Sequence, residues 1–238
     1  MDERGFLRRM MGTFLAGQIM NRVPNVGWCG GGLQQWPVDM IMLQEVILTV
    51  RPHLIIELGT GGGRSALFMA NVFDCLKINT GWDVGSRIVT MDVNPQAING
   101  PKHPRITYHI ADDMTSEALQ WAKDQIVPGN IVMVMADTSH GAAQCRKELE
   151  MYPPLVTPGS YFVMQDTLYG WYTLDDYNGG PMIAVDEFLA THPDWISDPY
   201  FDRWIVMSNA THPDWISDPY FDRWIVMSSP RGFLKRLR

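Results

Sequence analysis

From Leu54 onward, short apolar runs alternate with helical patterns, and this alternation restricts the fold more than any other feature of the chain. The runs are LIIELG, RIVTMDV, ITYHIA, NIVMVMAD and SYFVMQD, rich in Ile, Val, Tyr and Phe. A strand with one wet face alternates apolar with polar residues, whereas a strand that is apolar throughout is covered on both faces. Between the runs lie GRSALFMANVFDCL, TSEALQWAKDQI and QCRKELEMYPPL, which carry helical spacing. Right-handed crossovers then predict an α/β fold, a Rossmann-like, doubly wound, mostly parallel sheet. In such sheets ligands sit beyond the carboxyl ends of the strands, near the point where strand order reverses.

Residues 1–50 read as an N-terminal helical extension and residues 51–238 as the sheet domain. Phe6, Met10, Phe14 and Leu15 fall at helical spacing, predicting an amphipathic helix over residues 1–20 that docks on the domain rather than on lipid, with assembly of a homo-oligomer as a further use for it. The Gly- and Pro-rich stretch VPNVGWCGGGLQQWP predicts a loop, and VDMIMLQEVILTV a second helix halted by Pro52. In the tail, residues 190–208 recur unchanged as 210–228, separated by Asn209. Solenoids show more than two copies and some divergence, so this is a recent or artificial tandem duplication. Each copy offers the strand candidate YFDRWIVMS to one slot in the sheet.

Composition narrows the function. With 46 % hydrophobic and 19 % charged residues the chain is globular. A net charge of −7 argues against a nucleic-acid binder, which needs a basic stripe to displace counterions. The basic residues Arg4, Arg8, Arg9, Arg231, Lys235, Arg236 and Arg238 gather at the ends, as solvated termini or a patch for an anionic partner. Three scattered cysteines, Cys29, Cys75 and Cys145, form no metal or disulfide spacing. No stretch approaches the roughly 20 apolar residues of a membrane span, and the first residues do not resemble a secretion signal. A cytoplasmic location is therefore expected.

The glycine loop E-L-G-T-G-G-G at 57–63 follows one strand and precedes a helix. Residues without Cβ let the backbone approach a cofactor. Nicotinamide enzymes favour GxGxxG, which requires glycine where this chain has Arg64, and the Gly-Lys-Ser/Thr ending of P-loop enzymes is absent. Asp92, at the end of RIVTMD, is placed to accept the hydroxyls of an adenosine ribose or to cap the turn before Asn94-Pro95. Asp137 ends one strand and Gln165-Asp166 another, so their oxygens can converge on Mg²⁺ or Mn²⁺, although such an Asp also serves as a helix cap.

Taken jointly, WCGGGLQQWPVDMIMLQE, RPHLIIELGTGGGRSALFMA, MVMADTSH, ELEMYPPLVTPGSYFVMQDT and GPMIAVDEFL resemble the cephalosporin hydroxylase / rhamnosyl O-methyltransferase family, from about Trp28 to a closing strand in SSPRGFLKR. The resemblance implies a class I methyltransferase using S-adenosylmethionine and Mg²⁺ to methylate a hydroxyl of a sugar or natural product. It implies that Glu57, Gly59, Thr60, Gly61, Gly63 and Ser65 form the cofactor loop and that Asp92 binds the ribose. Asp112 or Asp113 would contact the adenine, and Asp137, Gln165 and Asp166 would hold the metal. Gln165 is a departure, because relatives carry an acid there, and its neutral amide should weaken divalent binding.

His140, three residues after Asp137, becomes the candidate general base; the alternative is a loop histidine bonded to backbone. The loop LYGWYTLDDYNGG, with Trp171, Tyr172 and Tyr177, is the expected contact for a small hydroxylated acceptor. Trp28 and Trp36 either complete a lid or pin the N-terminal helices. Two further readings stand beside this one: a cofactor-binding module or partner subunit without chemistry, and an oxidoreductase using an adenosine cofactor.

Overall fold

The computed structural model describes residues 27–33, 35–167, 179–202 and 232–238. Two short strands, β1 (Gly27–Trp28) and β2 (Gly31–Gly32), pair antiparallel. They lie inside the segment read from sequence as a plain loop. Helix α1 (Pro37–Val50) follows, with proline in its first turn and Arg51 left-handed at its end (φ 51°). Then come β3 (Leu54–Leu58), α2 (Arg64–Thr80), β4 (Arg87–Asp92), β5 (Ile106–Ile110), α3 (Ser116–Asp124), β6 (Val132–Ala136) and α4 (Ala142–Met151). The chain closes through β7 (Tyr161–Met164), α5 (Gly180–Thr191), β8 (Trp195–Ser197), the short α6 (Pro199–Asp202) and β9 (Phe233–Arg236).

Seven strands form one sheet in the order β5-β4-β3-β6-β7-β9-β8, and β9 alone runs against its neighbours. The five apolar runs are its five parallel strands. Their lack of alternation has a direct cause. Ile55, Met133, Met135 and Val163 pack on one face with α1 and α2, while Leu54, Ile56, Val134 and Phe162 pack on the other with residues of α3, α4 and α5. The sheet is thus dry on both sides. From β3 the chain steps outward to β4 and β5, then returns to place β6 on the opposite side of β3. That reversal parts the loops after β3 and β6 and opens the crevice.

The tail corrects one expectation. Within the described part of the first copy, strand pairing falls on Trp195–Ser197, and Tyr200–Asp202 of the strand candidate are helical. Asp198 Oδ1 accepts the Tyr200 backbone N–H at 2.9 Å, and Pro199 opens the turn. Both features start helices rather than strands. The slot between β7 and β8 is filled by Phe233–Arg236. The rest of the duplicated segment, the helix expected at 1–20 and the aromatic loop with Trp171, Tyr172 and Tyr177 lie outside the described residues. Among the described residues no helix is long and apolar enough to cross a membrane.

Candidate active site

The glycine loop leaves β3 from a buried acid. Glu57 is fully buried and accepts the Ser65 hydroxyl at 2.5 Å, tying the strand to the first turn of α2. Burial pushes its carboxyl up to about 7, against the opposing pull of that hydrogen bond. Gly59, Gly61 and Gly63 have φ of 89°, 50° and 68°, the left-handed region open to glycine. The Gly61 N–H donates to Asp92 Oδ2 and the Asn94 N–H to Asp92 Oδ1, both at 2.8 Å. Asp92 therefore organises the loop as well as facing the crevice. Thr60 shares a 2.7 Å hydroxyl contact with Thr90 of β4.

Across the crevice, Asp137 follows β6 and its N–H donates to the Leu58 carbonyl at 2.8 Å. Its Oδ1 lies 3.7 Å from His140 Nε2, which in turn lies 3.3 Å from Asp166 Oδ2. One ligand atom from each of these three residues falls within 4.8 Å of the others. His140 and Asp166 both hold left-handed backbone, at φ 60° and 55°. Such geometry costs of order 1 kcal/mol for a residue with a Cβ and persists where surroundings over-determine it. Burial drives the Asp137 carboxyl well above the usual range, reinforced by Asp166, Glu57, Asp39 and Glu148. Burial also pushes the His140 imidazole down to about 4, so it is neutral near pH 7.

A further group of acids lies at the ends of β5 and α4. Gln144 Nε2 donates to both Asp113 oxygens at 3.1 and 3.3 Å, and Tyr152 donates to the Asp113 carbonyl at 2.7 Å. Glu148, buried on α4, accepts the Thr138 hydroxyl at 2.5 Å, and burial raises its carboxyl to about 8. Asp112 Oδ1 accepts the Met114 N–H at 3.0 Å.

All of this surrounds a single cavity of about 830 Å³, within the range of small-molecule sites. Gly59, Thr60, Gly61, Ser65, Asp92, Asp112, Asp113, Asp137, His140 and Asp166 line it. Glu57 and Gly63 stand behind the wall. Gln165 does not reach the cavity: its side chain is buried at 1 % exposure with Nε2 facing Met135 Sδ at 3.7 Å. Trp36 lines the wall, whereas Trp28 packs edge-on against Phe68 at 5.0 Å.

Sequence reasoning missed Gln35, Arg64, Gln144 and Glu148. Glu148 left a signal, an acid three residues after Cys145 and beside Leu149, on the apolar face of its helix. Gln35 left none, since nothing in a loop reveals that its amide meets Asp137 Oδ2 at 2.5 Å. Arg64, the residue that breaks GxGxxG, donates to the Cys29 carbonyl at 3.3 Å and holds the β1–β2 hairpin beside the crevice.

The family model described as rhamnosyl O-methyltransferase/CmcI matches residues 21–237. A rhamnosyl O-methyltransferase of Mycobacterium leprae is 30 % identical over 172 residues, covering 70 % of this chain and 71 % of that protein. Its namesake in Mycobacterium tuberculosis H37Rv is 26 % identical over 164 residues, 66 % of this chain and 63 % of that one. The chain thus spans less than two thirds of the latter's length. A solved structure of CmcI described with Mg and SAM aligns at TM-score 0.63 and 16 % identity, over 90 % of this chain and 78 % of that one. MycE methyltransferase, described in complex with Mg and SAH, aligns at 0.52 and 18 %, over 90 % and 52 %. These two show the fold. The match of the family model over most of the sequence shows that the chain belongs to the rhamnosyl O-methyltransferase/CmcI family of methyltransferases.

Proposed function

We propose that the chain transfers a methyl group from S-adenosylmethionine to a hydroxyl of a sugar or natural product, assisted by Mg²⁺. The observation that carries this reading is the shared cavity, with the glycine loop on one wall and Asp137, His140 and Asp166 on the other. The mycobacterial relatives, named as rhamnosyl O-methyltransferases, and the Mg with SAM or SAH of CmcI and MycE, point the same way. Residues 51–238 are taken as the methyltransferase domain and residues 1–50 as an extension, of which Leu33, Gln35 and Trp36 contribute to the cavity wall.

The residues suit both groups. A Cβ at Gly62 would meet nothing within 4 Å, so the loop presents open backbone to a ligand. Asp137 and Asp166 bring carboxylate oxygens, the kind of donor a hard cation takes, to within 4.8 Å of each other and of His140. When bound, S-adenosylmethionine supplies an electrophilic methyl on its sulfonium and Mg²⁺ acidifies a coordinated hydroxyl. Asp137 and Asp166 would hold the cation, the glycine loop and Asp92 the cofactor, and Asp112 or Asp113 its adenine. His140, neutral and beside both acids, would accept the hydroxyl proton on Nε2. The walls align the acceptor oxygen and exclude water.

Calorimetric titration with S-adenosylmethionine, S-adenosylhomocysteine and NAD, each with and without Mg²⁺, tests the reading. Binding of the sulfur pair alone, followed by methyl transfer to a hydroxylated acceptor, is expected. Binding of NAD alone would overturn it. A second reading, a cofactor-binding subunit without turnover, draws on the withdrawal of Gln165 from the cavity; tight cofactor binding without transfer to any hydroxyl would favour it.

A further inference from the structure

Two acids are a thin donor set for a cation that takes six oxygens, and the third position offered by the sequence, Gln165, points into the core. The structure brings a different amide to the site. Gln35, from the segment between β2 and α1, lies 102 residues from Asp137 along the chain, yet its Nε2 meets Asp137 Oδ2 at 2.5 Å. The side chain is 6 % exposed and lines the cavity. Among the described residues its other terminal atom, Oε1, accepts no hydrogen bond. Its backbone is held from both sides: Trp36 precedes the first turn of α1, and the β1–β2 hairpin is fixed to α2 by Arg64 and by Trp28 on Phe68.

We infer that Gln35 is a cation ligand, its amide oxygen completing with Asp137 and Asp166 the donor set that Gln165 leaves short. The inference rests on the cation-assisted reading of the site. A half-turn about the last side-chain torsion exchanges Nε2 and Oε1, a soft rotation for an amide. Oxygens on adjacent vertices of an Mg²⁺ octahedron with bonds of about 2.1 Å stand about 3 Å apart. The Gln35–Asp137 pair therefore already stands near the spacing of two ligands of one ion. A neutral ligand adds no charge to a site already crowded with buried acids, and the segment ahead of α1 becomes part of the metal centre.

A ligand and a mere hydrogen-bond donor affect cation binding with opposite signs. If Gln35 only donates to Asp137, it competes with the ion, and removing it tightens binding. Mn²⁺ titration by calorimetry and electron paramagnetic resonance on the full chain, for wild type, Gln35→Met and Gln35→Glu, separates the two. S-adenosylhomocysteine binding and thermal melting serve as controls. The expected result is at least tenfold weaker Mn²⁺ binding in Gln35→Met and tighter binding than wild type in Gln35→Glu, with the S-adenosylhomocysteine complex retained. Unchanged or tighter Mn²⁺ binding in Gln35→Met overturns the assignment. Should that variant fail to fold, Gln35→Glu decides, and affinity no better than wild type overturns it. Absence of Mn²⁺ binding to wild type overturns both this inference and the metal part of the proposed function, while the S-adenosylhomocysteine titration independently reports the cofactor part.

Discussion

Gly59 stands so close to Asp137 that a Cβ built on it would run into the Asp137 carbonyl. The glycine loop and the acid-bearing loop are therefore in direct backbone contact, joined also by the Asp137 N–H donating to the Leu58 carbonyl. Gly59→Ala meets two penalties, a left-handed φ of 89° and a fixed backbone obstacle. We expect a loss of about 3 kcal/mol or more, or a chain that does not fold. Gly62→Ala has open space and should stay within about 0.5 kcal/mol of wild type. Paired chemical denaturation of the two variants checks the contrast; equal stabilities would mean the loops do not touch.

Glu57 titrates in the folded protein near 7, above its ordinary 4.5. The folded state thus binds more protons than the unfolded state between those values, so its stability falls as pH rises through that window. For a fully buried group the loss amounts to about 3 kcal/mol. Glu57→Gln keeps an oxygen for Ser65 and carries no charge. It should match wild type near pH 4.5 and exceed it in stability at pH 8, as read by melting across pH without ligands. A variant less stable than wild type at pH 8 would show that the ionised carboxylate is compensated in the fold.

The parallel strands and the strand ends that line the cavity were legible because both follow from local rules. A sheet buried on both faces writes continuous apolar runs, and a glycine loop between strand and helix leaves its own spelling. Asp92, Asp137 and Asp166 could be found because each ends such a run. Gln165 occupies an equivalent position, but the residue after a strand can point to either side, and here the amide went to Met135. Gln35 could not be found, since its approach to Asp137 depends on how a hairpin of two-residue strands seats on α2. The start of the strand candidate YFDRWIVMS was also misread, because Asp198-Pro199 opens a helical turn at Tyr200–Asp202.

Asp92 holds two loop N–H groups and, in the proposed complex, the cofactor ribose. Hydrogen bonds to a charged partner contribute about 1.5–3 kcal/mol each. Asp92→Ala should weaken S-adenosylhomocysteine by at least tenfold, while Asp92→Asn, which keeps one acceptor oxygen, should lose less. Calorimetry on both variants checks the order. Equal affinity of Asp92→Ala and wild type would remove the ribose role and leave Asp92 as a turn residue.

His140 separates catalysis from structure most cleanly, because its imidazole lies against Asp137 and Asp166 in the cavity wall. If it accepts the hydroxyl proton, His140→Ala should lower kcat about 100-fold or more and leave S-adenosylhomocysteine affinity near wild type. Its left-handed backbone makes His140→Asn a useful companion, since asparagine tolerates that conformation but supplies no base in this range. An alanine variant that fails through misplacement of the loop should be improved by asparagine; one that fails through loss of the base should not. Equal loss in both variants, with cofactor binding intact, is the expected outcome of single-turnover measurements. Full turnover in either at saturating acceptor would dismiss the base, leaving Asp137 and Asp166 to assist through the cation alone.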